Sequence, residues 1–461
     1  MPIQSTTHGV HYHVIKDPVY GTMQFTDEEN NWIKPFIDTL NFQRLRHIKQ
    51  LGMGDLVFPG GVHTRFNHSI GCCYFGGQIA HKLHLNSEDR QMVMLACLLH
   101  DIGHGPFSHA FEYLFPNHMI QHEDWTQFFL AEYDQAYFIE QFNQNNPNYP
   151  LNHDKFALMI NLITHHEQNY KLLGDIVSSQ LDADRLDYLQ RDSHFCGVTY
   201  GKFDARWLLH CLTQACDTQG NTRLGITYKG VGVVEEYLMA RRLMMFNVYF
   251  HGKKFGSEHL VTQFLYRVAW QLEQEPLLKS IQDTQLGQFL LAIKQLHQDF
   301  EALSDNAGLA NLKQDFLKTN YTLYKTLCDY DVLQLIRHCA HLDLEAPFTK
   351  IARRLQQRDL PKTIRLGPNQ LPAARELVAD FQAKPQVDDW QIQLMTIPHR
   401  SYQSQQDPIW VEDKVGNMAT LEEHSLFIKE LSGKYENNFL LLVDRPLLEE
   451  PAIQHFLQQT K

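Results

Sequence analysis

Apolar residues recur at helical spacing through most of the first three-quarters of the chain. The run MVMLACLL at 92–99 is apolar on every face and reads as a buried helix, with Ser87 placed to cap it. Further helical patterns cover 153–168 (HDKFALMINLITHHEQ), 175–197, 240–254, 259–272, 286–300 and 329–342. A shorter one at 37–52 (IDTLNFQRLRHIKQLG) has Leu40, Leu45, Ile48 and Leu51 as a partial apolar face. Residues 10–25 alternate around an Asp17-Pro18 turn and predict two short strands. The Asn/Gln/Pro-rich stretch 134–155 reads as a loop. Beyond about 345 the pattern changes to short alternating runs (PKTIRLGP, DWQIQLMTIP, PIWVED, NFLLLVDRP) broken by Pro, Gly and Asp. The expected architecture is mainly α, with a helical core over 1–345 and a small α+β lobe over 346–461.

The polar positions are concentrated where the buried helix ends. LLHDIGHGPFSHAFE (98–112) places His100, Asp101, His104 and His109 directly after an apolar run, where an unpaired charge costs several kcal/mol on the order of magnitude usual for buried ions. A divalent cation on His100 and Asp101 compensates that cost. Adjacent residues do not share a helix face, so the helix must end here, and Gly103, Gly105 and Pro106 supply the break. Further ligands are available in His68 of RFNHSIG and Asp184 of DADRLDYLQRD. Asp184, Tyr188 and Asp192 recur every fourth residue as one polar stripe, which also suits a salt-bridged face with Arg185 and Arg191. Arg65 lies one turn before His68, placed either to clamp phosphate or to pair with a carboxylate. His165-His166 has no companion spacing and is read as structural.

The ordered set His68, His100-Asp101, Asp184 resembles the HD-domain metal-dependent phosphohydrolases. QLGMGDLVFPGGVHTRFNHSIG, HDIGHGPFSH and DADRLDYLQRD resemble, more narrowly, the deoxynucleoside triphosphate triphosphohydrolases, namely the catalytic part of the SAM-and-HD-domain dNTPases and their bacterial relatives without a SAM domain. The similarity runs from about Val14 to His251 and returns weakly near Arg358. It implies a metal shell of His68, His100, Asp101 and Asp184, and an active pocket with Arg65, His104, His109 and His122. Glu112 stands where the family has Asp. Gln50 and Leu51 would line the sugar side, with Leu51 excluding a ribose 2′-OH. Arg185, Arg241, Tyr188 and Tyr249 would meet phosphate and base, and Asp192 the 3′-OH. Asp38, Gln43 and Arg46, with Lys229, Arg358 and Lys362, match an inter-subunit site for an activating GTP or dNTP. A lysine of that site is His13 here, and an arginine is Thr227. From the residues alone, 37–52 reads as a solvated helix face and 240–254 as an ordinary surface helix.

The resemblance implies hydrolysis of a dNTP to deoxynucleoside and inorganic triphosphate by a homo-tetramer. The alternative is an HD-type nucleotidase or cyclic-nucleotide phosphodiesterase. The N/O ligand set suits Mn, Fe, Mg or Zn without choosing among them. With 461 residues, 20% charged and 43% apolar, the composition is that of a soluble globular protein. The net charge of −12 argues against nucleic acid as a partner and requires any triphosphate site to be a local basic pocket. Eight scattered cysteines without a C-x-x-C fit a reducing, cytoplasmic setting. No apolar run reaches the ~18 residues of a membrane span, and no signal pattern opens the chain.

Overall fold

The computed structural model describes residues 12–26, 31–164, 169–303, 306–400, 402 and 407–459; His165 and His166 lie outside them. The fold is mainly α. At its centre α1 (Arg65–Lys82) packs against α2 (Ser87–Leu99). Helix α1 starts on Thr64, whose hydroxyl and backbone N–H both donate to Asn67 Oδ1. Helix α2 is capped by Asn86, one residue before the expected Ser87, through a bond accepted from the Asp89 N–H. Every residue from Met92 to Leu99 is buried, which anchors the end of α2 at the molecule's centre.

Helices α3 (His122–Tyr133), α4 (His153–Ile163), α5 (Lys171–Val177) and α6 (Ala183–Cys196) surround this pair. Asp182 caps α6 and Gly197 ends it in the left-handed region. Helix α6 approaches α1 so closely that a Cβ at Gly71 would stand 2.1 Å from Asp187 Oδ1, so only glycine fits there. Helices α7 (Val231–Met244), α8 (Gly252–Gln271), α9 (Gln285–Ala302), α10 (Asn306–Tyr324), α11 (Asp329–Ala340) and α12 (Pro347–Gln357) complete the main core. The last of these buries Phe348, Ile351 and Leu355 in it.

Two antiparallel strands, β1 (Tyr12–Asp17) and β2 (Gly21–Thr26), flank the Asp17-Pro18 turn as the alternation predicts. A four-stranded sheet joins β3 (Leu212–Cys216) and β4 (Thr222–Thr227) to the later strands β7 (Trp410–Glu412) and β8 (Met418–Thr420), with β4 and β7 parallel. A second, smaller core is built on β5 (Lys362–Leu366), β9 (Tyr435–Val443) and β6 (Ile392–Arg400), in that order and antiparallel. It is covered by helices α13 (Leu371–Gln382) and α14 (Pro451–Gln459).

Several local expectations fail. The stretch 175–197 is not one helix, because α5 ends at Val177 and Asp182 caps a new start at Ala183. Residues Ala136–Asn145 form a helix rather than loop, because Phe138 and Phe142, four apart, both pack on the Phe36 ring. The stretch 37–52 breaks into short turns: Leu45 and Ile48 are buried, but Leu40 is 89% exposed. No helix among the described residues is long and apolar enough to cross a membrane.

Candidate active site

The break after α2 delivers the sequence-predicted ligands to one point. His68 Nε2 lies 3.0 Å from Asp184 Oδ1 and 3.5 Å from Asp101 Oδ2. His100 Nε2 lies 3.4 Å from Asp101 Oδ1 and 3.6 Å from Asp184 Oδ1, yet that buried nitrogen makes no hydrogen bond. Ring nitrogens and carboxylate oxygens thus converge without hydrogen-bond geometry, as ligands around a cation do. The candidate ligand atoms of His68, His100 and Asp184, with Cys72 behind them, all lie within 4.8 Å of one another. Burial pushes the Cys72 thiol well above its ordinary pKa, so it stays a neutral, weak ligand and the set is His/Asp.

Both histidine ligands are held from behind. His68 Nδ1 bonds Asp187 Oδ2 at 2.8 Å, and Asp187 is gripped in turn by Arg191, which also reaches Asp17. His100 Nδ1 donates to the Cys97 carbonyl at 2.8 Å. Burial lowers the His68 pKa, but the Asp184 and Asp187 carboxylates against its two ring nitrogens outweigh it and push the value up to about 10. Burial would raise Asp184, but His100 and His68 hold it well below the carboxylate range. A cation on Nε2 would replace that proton while the Nδ1–H bond to Asp187 remained.

Arg65 Nη1 pairs with the Asp101 carboxylate at 2.6 Å, and the side chain lines the cavity in front of these ligands. His104 and His122 stack with centroids 3.7 Å apart, and His109 stands edge-on to both. Glu112, one methylene longer than its family counterpart, reaches His122 Nδ1 at 2.8 Å and His109 Nδ1 at 3.1 Å. Burial, then the Arg65 and His122 charges, hold His104 well below the usual histidine pKa. Burial also lowers His122, but Glu112 outweighs it and raises the value.

A cavity of about 500 Å³ opens on this cluster. Among the expected residues, Gln50, Leu51, Arg65, His100, Asp101, His104, His109, His122, Asp184, Tyr188, Asp192 and Tyr249 line it. His68 lies buried beneath its floor. Tyr249 is delivered by a π-helical turn, Met245–Tyr249, and its hydroxyl donates to Asp192 Oδ2 at 2.7 Å. His63 holds the other oxygen of Asp192 at 2.6 Å. Besides His68, two expected residues stand outside the lining. Arg241 Nη1 donates to Gln180 Oε1 at 2.9 Å, and Arg185 donates to the Ser179 carbonyl. None of the expected regulatory residues lines this cavity. Asp38 pairs with Lys34, Gln43 accepts from Arg46, and Arg46 lies over the Phe66 ring. Arg358 donates to the Leu56 carbonyl, and Lys229 and Lys362 are exposed.

Sequence reasoning missed Asp187, His63, and the Lys254–Glu258 pair (2.6 Å) that lines the cavity with Tyr113. His63 and Asp187 sit inside the ligand-bearing motifs, three residues from Phe66 and from Asp184 respectively, so helical spacing was the available signal for Asp187.

The HD domain family model matches residues 65–192, the span from Arg65 to Asp192 that carries all four candidate ligands. An uncharacterised protein of Mycoplasma genitalium, MG461, is 30% identical over 338 residues, which are 68% of this chain and 75% of that one. Human deoxynucleoside triphosphate triphosphohydrolase SAMHD1 is 29% identical over 270 residues, 52% of this chain and 42% of its own. The crystal structure of a phosphohydrolase from Bacteroides thetaiotaomicron superposes with a TM-score of 0.70 at 25% identity, covering 94% of this chain and all of that one. The matched span and the ligands it brings together agree, and the chain belongs to the HD-domain family.

Proposed function

We propose that the protein is a metal-dependent phosphohydrolase that cleaves a deoxynucleoside triphosphate into deoxynucleoside and inorganic triphosphate. The observation that carries this reading is one cavity of about 500 Å³ shared by the His/Asp cluster, Arg65, and the Gln50, Leu51, Tyr188 and Asp192–Tyr249 wall. That volume is in the range of nucleotide-sized ligands. The likeness to SAMHD1 and to a solved phosphohydrolase supports the same reading.

His68, His100, Asp101 and Asp184 would hold the cation, and the two histidine nitrogens and two carboxylates fit Mn, Fe, Mg or Zn. Bound there, it supplies Lewis acidity and lowers the pKa of water from about 15.7 toward 7. Arg65 offsets charge on the phosphoryl oxygens while holding Asp101 in place. Glu112 steadies the His109 and His122 rings, and His122, whose pKa it raises, would hold the proton for the 5′-oxygen leaving group, with His104 kept neutral beside it. Leu51 closes the sugar side, and Asp192, fixed by His63 and Tyr249, accepts from a 3′-OH. Asp38, Gln43, Arg46, Lys229, Arg358 and Lys362 would form an activating GTP or dNTP site between subunits of a homo-tetramer.

A nucleotidase or cyclic-nucleotide phosphodiesterase has one observation in its favour. Arg185 and Arg241 face Ser179 and Gln180, so the cationic side chains lining the cavity are Arg65 and Lys254, enough for fewer phosphates. Ion-exchange analysis of products from each dNTP with Mn or Mg, with and without GTP, separates the two. Deoxynucleoside plus triphosphate is expected. Turnover confined to monophosphates or cyclic nucleotides would overturn the triphosphohydrolase reading.

A further inference from the structure

Asp329 opens α11, and its side chain is buried in the main core. Its two oxygens accept backbone N–H groups from two different cavity loops. Oδ1 takes Phe107 N–H at 2.7 Å and Oδ2 takes Lys49 N–H at 2.9 Å. Burial raises this carboxyl and the two N–H bonds oppose it, which leaves it at about 7.

Both loops matter to the site and neither holds its shape by local bonds alone. Phe107 and Ser108 are consecutive non-glycine residues in the left-handed region, with φ of 53° and 55°, a conformation that persists only where surroundings over-determine it. Ser108 Oγ accepts from Arg65 Nε at 3.0 Å and donates to the Lys49 carbonyl at 2.9 Å. The residue after Lys49 is Gln50, a cavity residue whose backbone N–H is held by the His63 carbonyl. Asp329 therefore closes a ring: carboxylate to Lys49, Lys49 to Ser108, Ser108 to Phe107, and Phe107 back to the carboxylate. The Arg65 guanidinium is fastened to that ring at Ser108 and to the ligand Asp101 at its other end.

We propose that Asp329 is a positioning residue for the reaction: by tying the Lys49–Gln50 loop to the Phe107–Ser108 turn it fixes the Arg65 guanidinium against Asp101 and the reacting phosphoryl group. It touches neither substrate nor cation and acts through Ser108 and Arg65. The inference rests on the phosphohydrolase reading for its effect on turnover, but the ring itself is tested without a substrate.

The test compares the metal-loaded wild type with Asp329→Asn, Ser108→Ala, Arg65→Lys and the pairwise doubles with Arg65→Lys. Asparagine keeps the shape of the side chain but turns an NH₂ toward one of the two N–H donors. Amide hydrogen exchange is read on peptides covering 46–53 and 103–110. Turnover is read on a dNTP and on bis(4-nitrophenyl) phosphate, which has neither base nor sugar. In Asp329→Asn both peptides are expected to lose protection together, with metal content unchanged. Turnover should fall by about 10²-fold, the scale of a misplaced clamp, and that loss should largely vanish in the Arg65→Lys background. Unchanged exchange in either peptide, or losses that add fully with Arg65→Lys, would overturn the proposal, since a merely structural residue gives additive losses. If Asp329→Asn does not fold, Ser108→Ala decides: wild-type turnover in it refutes the route through Arg65, and a loss coupled to Arg65→Lys supports it. A wild type inert on dNTPs refutes the substrate reading alone, because the exchange result stands by itself.

Discussion

The two walls of the cavity are held together in opposite ways. On the metal wall three of the four candidate ligands have a partner behind them within one or two motifs: Asp187 and Arg191 behind His68, the Cys97 carbonyl behind His100, Arg65 behind Asp101. The wall proposed to meet the nucleotide draws its residues from distant segments. Asp192 is fixed by Tyr249 from a π-helical turn, while Arg241 and Arg185 are engaged by the 179–180 turn rather than by the cavity. The first wall is braced as a set of cation ligands would have to be. The second has cationic side chains parked beside it whose hydrogen bonds must be exchanged before they can meet a phosphate.

Breaking the metal wall has the largest expected effect. His68→Ala or Asp184→Ala removes a ligand, so bound metal and turnover should both fall to background, read by elemental analysis and product assay on the same preparation. Next comes Asp187→Asn, which leaves every ligand but frees the His68 ring; metal affinity should weaken about 10–100-fold, measured by chelator competition. A nucleotide-wall change should be milder and of another kind. Gln180→Ala releases Arg241, and KM for a triphosphate should shift by a few-fold (roughly 1 kcal/mol, one hydrogen bond) while metal content stays constant. An equal loss of metal in this variant would erase the distinction between the walls.

The smallest effect on turnover is expected away from both walls. His259 on α8 is buried and its Nε2–H donates to the Trp390 carbonyl at 3.0 Å. Burial pushes its pKa down to about 4. An unfolded histidine titrates near 6.5, so between about 6.5 and 4 the unfolded chain binds a proton that the folded chain does not, and stability falls as pH falls through that window. The contribution is on the order of 3 kcal/mol at full extent. His259→Gln should flatten that part of a pH–melting curve and leave kcat at pH 8 unchanged.

How much of this was legible in the chain follows the same division. His68, His100, Asp101 and Asp184 could be read because burial makes charged groups costly, and a helix that breaks beside them lets a cation gather them at one point. Glu112 could be read as a doubtful substitute, and its longer arm does span His109 and His122. The helix Ala136–Asn145 was hidden by its Asn and Gln content, though Phe138 and Phe142 carried the spacing that decides it. The turn of Arg241 and Arg185 toward 179–180 depends on a backbone carbonyl and an amide that no motif marks. Asp329 meets Lys49 across 280 residues of sequence, which no local pattern reports.

The central claim is attack at the α-phosphorus of a dNTP by water activated at the His/Asp centre, and hydrolysis in ¹⁸O-labelled water tests it most directly. The account predicts one ¹⁸O in inorganic triphosphate and none in the deoxynucleoside, read by mass spectrometry of the separated products. Label in orthophosphate or pyrophosphate would place attack at another phosphorus, and label in the deoxynucleoside would place it at carbon; either result contradicts the account.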